Sequence, residues 1–524
     1  MIPVRFVVAC ERGHLDDFPW PKWAHSRPGQ CLSDVKPCSQ PLLRLLSIEG
    51  AGFVGLVVRC ESEECRAKYQ ACEKEDKESN EYEEYRTQEE IKKSNGNEES
   101  KTQKKLPARS LLGLSDPKAL TGILQCSGNR PWLGPDGREK ACPYPPRFLQ
   151  RLASNLYFPK IASSILIPPF SDPIRKIIDD PYNWRLLTSD LAEGNELDDT
   201  RLRLFAELNR LDLNRLRQVV RQKRMGEGLS TTHEPVEKYR HSEYQALLEA
   251  QTRPDEEFVT RHPNMADYEA DIQSFFDRIV LVEKLAETRV LIGFSRINPP
   301  LSPDFEWNNF CPLSRKRQQW LPGVRVYGEG IFLKLNERAV QEWLDHQDID
   351  QRYSGILQNL KDTYNKLNRT PRPLSPRFFL LHTLAHVLIR RLSYECGYGT
   401  ASLRERLYCS EDSKLPMSGL LIYTAAGDSK GTMGGLVQQG MPGRLEPLLM
   451  RALEDSLWCS ADPLCVESHG QGIDSLNLGA CHACCLLPET SCEEGNRLLD
   501  RVALVGRPEN RRLGYFSQIV NQIL

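Results

Sequence analysis

Short apolar blocks such as VRFVVA, FVGLVVRC and SSILIP, each broken by Gly or Pro, mark the first third of the chain. Blocks this short, rich in β-branched residues, predict small strands and knuckles across residues 1–168. The pattern vanishes between Glu73 and Lys105, where EKEDKESNEYEEYRTQEEIKKSNGNEESKTQKK holds almost no apolar side chain. Such a tract cannot bury enough surface to offset its ordering entropy, so a solvated helix or a disordered insertion is expected there.

Over residues 169–373 apolar positions recur at helical spacing with charges between them, as in DDTRLRLFAELNRLDLNRLRQVVRQ and YEADIQSFFDRIVLVEKLAETRVL. This predicts a helical middle region. The Pro/Arg segment NRTPRPLSPR then opens a unit over 374–524, beginning with the apolar helix FFLLHTLAHVLIRRLSYECG, which Gly397 would stop. A buried-strand candidate GLLIYTAA, a glycine-rich loop DSKGTMGG and an amphipathic helix EPLLMRALEDSLW follow, an order that suggests an α/β element.

A chain of 524 residues is too long for one ordinary core, so several domains are expected. With 69 basic and 71 acidic residues it has no overall field to attract DNA or an anionic bilayer. Any nucleic-acid contact must be local. The arginines of 201–224 are one candidate stripe, although Asp198, Asp199, Glu207 and Asp212 can pair with them along a solvated helix face. No basic leader followed by an apolar run is present and no apolar stretch is long enough to span a bilayer, which suggests a cytoplasmic protein. In that reducing compartment 17 cysteines point to metal, not to disulfides.

Cys481 and Cys484 form a CxxC pair, the spacing at which one tight turn offers two thiolates to a tetrahedral zinc ion. Cys492 and Cys465 are expected to complete the site, with Cys459 and Cys485 as alternatives. In the N-terminal region Cys60 and Cys65 are joined by a long excursion to Cys126 and Cys142, the logic of a zinc ribbon with the charged tract in the excursion. Cys10, His14, Cys31 and Cys38 could form a further site or lie in the core. The fold class expected is therefore α+β and multidomain, with an N-terminal β-rich zinc-ribbon region, a helical middle, and a C-terminal α/β unit holding a four-cysteine zinc knuckle. Four protein ligands leave no open position, so the two zinc ions expected are structural.

His382 and His386 share a helix face as in HExxH metalloproteases, but Thr383 stands where the acid would be. A core or interface role fits them better. The loop with Gly431, Gly434 and Gly435 lacks phosphate-loop spacing, since Lys430 precedes its glycines. No Walker elements, GxSxG elbow or kinase signature set appears, so ATP hydrolysis by this chain alone is not expected.

These residues make the chain resemble the DrmB family of accessory components in DISARM phage-defence systems. Its C-terminal part resembles the zinc-binding domain of Mrf-type helicases. The motifs run in order through VVACERGHLDDFPW, VRCESEEC, CSGNRPWLG, RLASNLYFPKIASSILIP, LVEKLAETRVLIGFSRINP, VYGEGIFLKL, LHTLAHVLI, GLLIYTAAGDSKGTMGGLV, CSADPLC and ACHACCLLPETSCEEGNRLLDR. The resemblance implies a non-catalytic subunit that partners a DrmA-like helicase and meets DNA through the complex, with no membrane and no small-molecule substrate. In the helicase tails CxxC is followed by a further Cys and an Asn, an order that falls here on Cys481, Cys484, Cys492 and Asn496 and favours Cys492 over Cys485. The charged insertion departs from the family pattern. Two other readings remain: a stand-alone zinc-dependent nucleic-acid-binding protein, and a zinc hydrolase using His382, His386 and a carboxylate such as Asp428.

Overall fold

The computed structural model describes residues 5–47, 55–72, 106–139, 142–168, 173–188, 199–224, 236–249, 257–299, 309–316, 318–366, 373–410, 412, 416–424 and 434–524. The charged tract 73–105, Asp428, Lys430 and Gly431 lie outside them. Two compact units emerge, one of residues 1–162 with 291–322 and one of residues 163–290 with 323–524.

The smaller unit holds two three-stranded antiparallel sheets. In one, Phe6–Ala9 lies between Leu15–Asp17 and Arg147–Gln150; in the other, Leu56–Cys60 lies between Leu43–Ser47 and Ala108–Ser110. Strands of three to five residues cannot bury much surface, and aromatic rings make up the difference. Phe18 packs edge-on against Trp20, Trp23 and Phe148, with ring centroids 4.8, 5.4 and 4.8 Å away. The Arg109 guanidinium covers Trp23 at 3.6 Å from the ring centroid.

The larger unit is organised by a six-stranded sheet, ordered Leu403–Ser410, Met417–Thr424, Gly323–Leu335, Phe276–Ser295 and Phe158–Ile165, with Val259–Arg261 also paired to Phe276–Ser295. Side chains alternate faces along each strand. Ile279, Leu281, Ile331, Leu333, Leu420 and Ile422 enter one core, with the helices Pro376–Cys396 and Leu445–Ser456. Val280, Val282, Phe332, Leu421 and Tyr423 enter the other, with Tyr244 and Leu247 of the helix Val236–Leu248. Covering both faces buries every residue of Met417–Thr424, which is why the run GLLIY carries no charged side chain.

The double burial corrects two expectations. The segment YEADIQSFFDRIVLVEKLAETRVL is helical only over Ala270–Phe275 and then becomes the 20-residue strand Phe276–Ser295. Apolar residues serving two cores at period 2 imitate helical spacing when charges fall between them. The middle region 169–373 is therefore not purely helical. Nor does the chain divide at residues 373/374, because Met417–Thr424 pairs with Gly323–Leu335 across that point. Within 169–373 four short helices, Pro173–Asp179, Pro181–Thr188, Asp199–Asn209 and Leu213–Arg224, share a small core around Ile178, Phe205 and Leu216. Here Arg203 and Arg217 pair with Asp199, and Lys223 pairs with Asp179. Among the described residues no helix is long and apolar enough to cross a membrane.

A buried carboxylate ties the C-terminal turns to the helix Gln347–Lys366. Asp500 accepts from Arg352 Nε and Nη2 at 2.6 and 2.7 Å, from the Tyr353 hydroxyl at 2.8 Å, and from the Gly479 and Val502 N–H groups at 3.1 Å. Burial alone would raise its pKa, but the Arg352 charge and these hydrogen bonds win and hold it below the usual carboxylate range. The stabilisation is thus present above the unfolded value of about 3.9 and is lost as pH falls through the lower folded value. Arg352→Ala leaves this carboxylate unpaired, so at pH 7 a loss of about 3–5 kcal/mol is expected, with acid unfolding beginning at higher pH. Urea titrations of both proteins at pH 7 and pH 5 measure it.

Candidate metal centres

A hairpin positions the first candidate ligands in the smaller unit. Cys10 follows the strand Phe6–Ala9 and His14 precedes Leu15–Asp17, so one turn presents both. The Gly13 N–H donates to the Cys10 carbonyl at 2.9 Å and closes the turn. Gly13 has φ 81°, and a Cβ there would lie 2.0 Å from Cys311 Sγ, so only glycine fits. His14 Nδ1 is 3.4 Å from Cys10 Sγ and 3.5 Å from Cys126 Sγ, and Cys142 Sγ is 3.8 Å from Cys10 Sγ. On the far side of the ring, His14 Nε2 meets Glu139 Oε2 at 2.9 Å, the carboxylate–histidine pairing that orients a ligating imidazole.

A second cluster in this unit joins His25, Cys38, Cys60 and Cys65. Cys60 ends the strand Leu56–Cys60, Cys65 lies in the helix Glu63–Cys72, and His25 follows the helix Trp20–Ala24. Cys38 and Cys60 Sγ are 3.7 Å apart, His25 Nε2 is 3.2 Å from Cys65 Sγ, and His25 Nδ1 faces the Pro21 carbonyl at 2.6 Å.

In the larger unit Cys459, Cys465, Cys481 and Cys484 converge. The Sγ separations are 3.5 Å for Cys459–Cys481, 3.8 Å for Cys465–Cys484 and 3.8 Å for Cys481–Cys484. Zinc–sulfur bonds of about 2.3 Å in a tetrahedron require about 3.8 Å between sulfurs. The knuckle turn is held by the Cys484 and Cys485 N–H groups, which donate to the Cys481 carbonyl at 3.2 and 3.0 Å. Arg501, paired with Asp462, brings its buried positive charge towards Cys465 and Cys484.

Thiols packed this closely cannot all ionise against one another without a cation. The Cys465 thiol is pushed up by its bond to Cys484 and by burial. In the first cluster the Cys10 thiol donates to Cys126 and, with help from His14 and against burial, lowers Cys126 to about 4. Cys10 itself is pushed up by that bond and by burial. Donor chemistry, spacing and charge all fit a divalent ion of zinc type.

The structure regroups the residues expected from sequence. Cys60 and Cys65 sit with His25 and Cys38, whereas Cys126 and Cys142 sit with Cys10 and His14, so the proposed ribbon of Cys60, Cys65, Cys126 and Cys142 does not form one cluster. Cys465, Cys481 and Cys484 do come together, with Cys459 as the fourth member. Cys492 lies instead 3.2 Å from His382 Nε2, and Cys485 is buried in the apolar core. Cys31 Sγ rests against the Ser33 hydroxyl at 3.1 Å. His25 was missed because a lone histidine 13 residues before a cysteine carries no spacing signal. Cys10–His14 was visible as a short pair, and Cys459–Cys465 could have been paired with Cys481–Cys484 as a second close couple.

Cys484→Ser is expected to remove about one zinc per chain and to unfold the surrounding turns, since a structural zinc contributes on the order of 10 kcal/mol. Cys485→Ala should keep the metal. Elemental analysis with limited proteolysis separates the two variants, and equal zinc content in both would contradict the four-cysteine centre.

Two family models match the chain: a domain of unknown function, DUF8724, over residues 1–158, and the MrfA Zn-binding domain over residues 384–485. The DISARM protein DrmB of Bacillus paralicheniformis is 29% identical over 549 residues, an alignment that covers 99% of this chain and 83% of that protein. Along nearly all its length the chain is thus similar to a DISARM protein, DrmB, and its four-cysteine centre falls inside the segment that matches the MrfA Zn-binding domain.

Proposed function

We propose that this chain is a non-catalytic accessory subunit of a DISARM-type anti-phage system, which assembles with a DrmA-like helicase in the cytoplasm and supports DNA engagement by the pair. The observation that carries this reading is the similarity to DrmB across 99% of the chain, both units included. The metal centres support it through their chemistry. Each has four protein donors, a closed arrangement suited to holding structure, whereas catalysis needs a position for water or substrate. Zinc in the four-cysteine centre, and in the two Cys/His clusters of the smaller unit, would keep short strands and turns in shape for docking. The near balance of 69 basic and 71 acidic residues fits a protein that meets DNA mainly through a partner.

Co-expression with the helicase of the same system tests the assignment. A stable complex is expected, with DNA affinity at physiological salt at least tenfold above that of the isolated chain and with ATP hydrolysis confined to the helicase. Tight, steeply salt-dependent DNA binding by the isolated chain, with no complex formed, would instead favour a stand-alone nucleic-acid-binding protein.

A further inference from the structure

We propose that His382, His386, Glu405 and Cys492 form a further zinc site, separate from the four-cysteine centre. His382 and His386 lie one turn apart on the helix Pro376–Cys396, so both rings leave the same face, with centroids 4.6 Å apart. Glu405 comes from the neighbouring strand Leu403–Ser410 and Cys492 from the C-terminal turns. His382 Nε2 is 3.1 Å from Glu405 Oε1 and 3.2 Å from Cys492 Sγ, and His386 Nε2 is 3.6 Å from Glu405 Oε2. One donor atom from each residue falls within 4.8 Å of all the others.

The hydrogen bonds around the cluster select a cation. His386 Nδ1 is 2.9 Å from the Cys485 carbonyl, an acceptor only, so Nδ1 carries the proton and the neutral ring turns its Nε2 lone pair inward. That lone pair faces Glu405 Oε2, and neither atom has a hydrogen-bond partner although both are buried. At 3.6 Å the two are too far apart to share a proton well, but both can reach an ion at about 2.0–2.2 Å. The other contacts are those of an outer coordination shell. The Glu493 N–H donates to Glu405 Oε1 at 2.9 Å and the Asn496 N–H to Cys492 Sγ at 3.2 Å.

Charge favours the same ion. One carboxylate, one thiolate and two neutral imidazoles sum to −2, which Zn2+ cancels, so the assembly can be buried as a neutral whole. Two nitrogens, one oxygen and one sulfur suit an ion of borderline softness in tetrahedral geometry. All four side chains come from the protein and both histidines are wholly buried, so the ion ties a helix, a strand and the C-terminal turns together and is not reached by substrate. The segment that matches the MrfA Zn-binding domain, 384–485, contains only His386 and Glu405 of this set.

Metal analysis of the full-length chain provides the test. Cys492→Ala and His386→Ala should each bind one zinc fewer per chain than the wild type, and combining Cys492→Ala with Cys484→Ser should lose two. An unchanged zinc content in soluble Cys492→Ala would overturn the proposal. If the variants do not fold, anomalous scattering from wild-type crystals on both sides of the zinc edge decides. A zinc peak among the four side chains supports the site. Zinc in the four-cysteine centre with no peak here, as a protonated His382–Glu405 pair would leave it, or a peak that belongs to iron, overturns it.

Discussion

Donor atoms that would repel one another as anions are held a few ångströms apart at several places in this protein, an arrangement that a shared cation would stabilise. The constraint is strongest in the smaller unit. The strands of its two small sheets span three to five residues, and its main apolar core is small, with Phe18, Trp23 and Phe148 among the aliphatic side chains. The clusters of Cys10, His14, Cys126 and Cys142, and of His25, Cys38, Cys60 and Cys65, join segments far apart in sequence, and each closes a loop whose entropy the sheets alone offset poorly. In the larger unit the sheet packs against a separate apolar core on each face. There a zinc ion in the four-cysteine centre would act on the turns after Leu457, which contain little regular structure.

How much of this was legible in the sequence depended on the distance over which a signal must be read. CxxC is local, so spacing alone singles out Cys481 and Cys484 as a candidate pair, and the two do lie in one cluster. The strands Phe6–Ala9, Leu56–Cys60 and Met417–Thr424 fall on the blocks VRFVVA, FVGLVVRC and GLLIYTAA, because a short β-branched run admits few other structures. Assigning the remaining ligands required knowing which close pair meets which. Cys60–Cys65 and Cys126–Cys142 look like two halves of one ribbon, yet each completes a cluster with an earlier pair, His25 and Cys38 or Cys10 and His14. Spacing carries no information about that choice, because the partners are brought together by sheet pairing.

The same limit explains the misread strand. In FDRIVLVEKLAETRVLIGFS, Ile279 and Leu281 enter one core while Val280 and Val282 enter the other, so over that stretch no polar face survives to mark the period. Glu287 is wholly buried within it, balanced by Arg289 Nη2 at 2.8 Å and by the Tyr423 hydroxyl at 3.0 Å. A buried charge paired in this way looks, in one dimension, like a solvated helix position. Identifying it requires the strand Met417–Thr424, more than 120 residues later, which contributes the tyrosine.

The histidine pair shows how one local pattern can serve opposite chemistries. In a metalloprotease the acid of HExxH stands beside the first histidine and activates a water at an open position on the metal. Here Thr383 fills that position and donates nothing to the cluster. Its hydroxyl accepts from the Asp500 N–H at 2.9 Å, which fastens the helix to the C-terminal turns. The carboxylate comes instead from Glu405, directly across from the two rings, and Cys492 takes the remaining side. A donor set filled in this way has no position for water, and burial on every side would prevent one from exchanging. The same geometry that makes the site fit a zinc ion therefore argues against hydrolysis. It also suits such a site to holding the turns around Cys492 against the helix Pro376–Cys396 and the strand Leu403–Ser410.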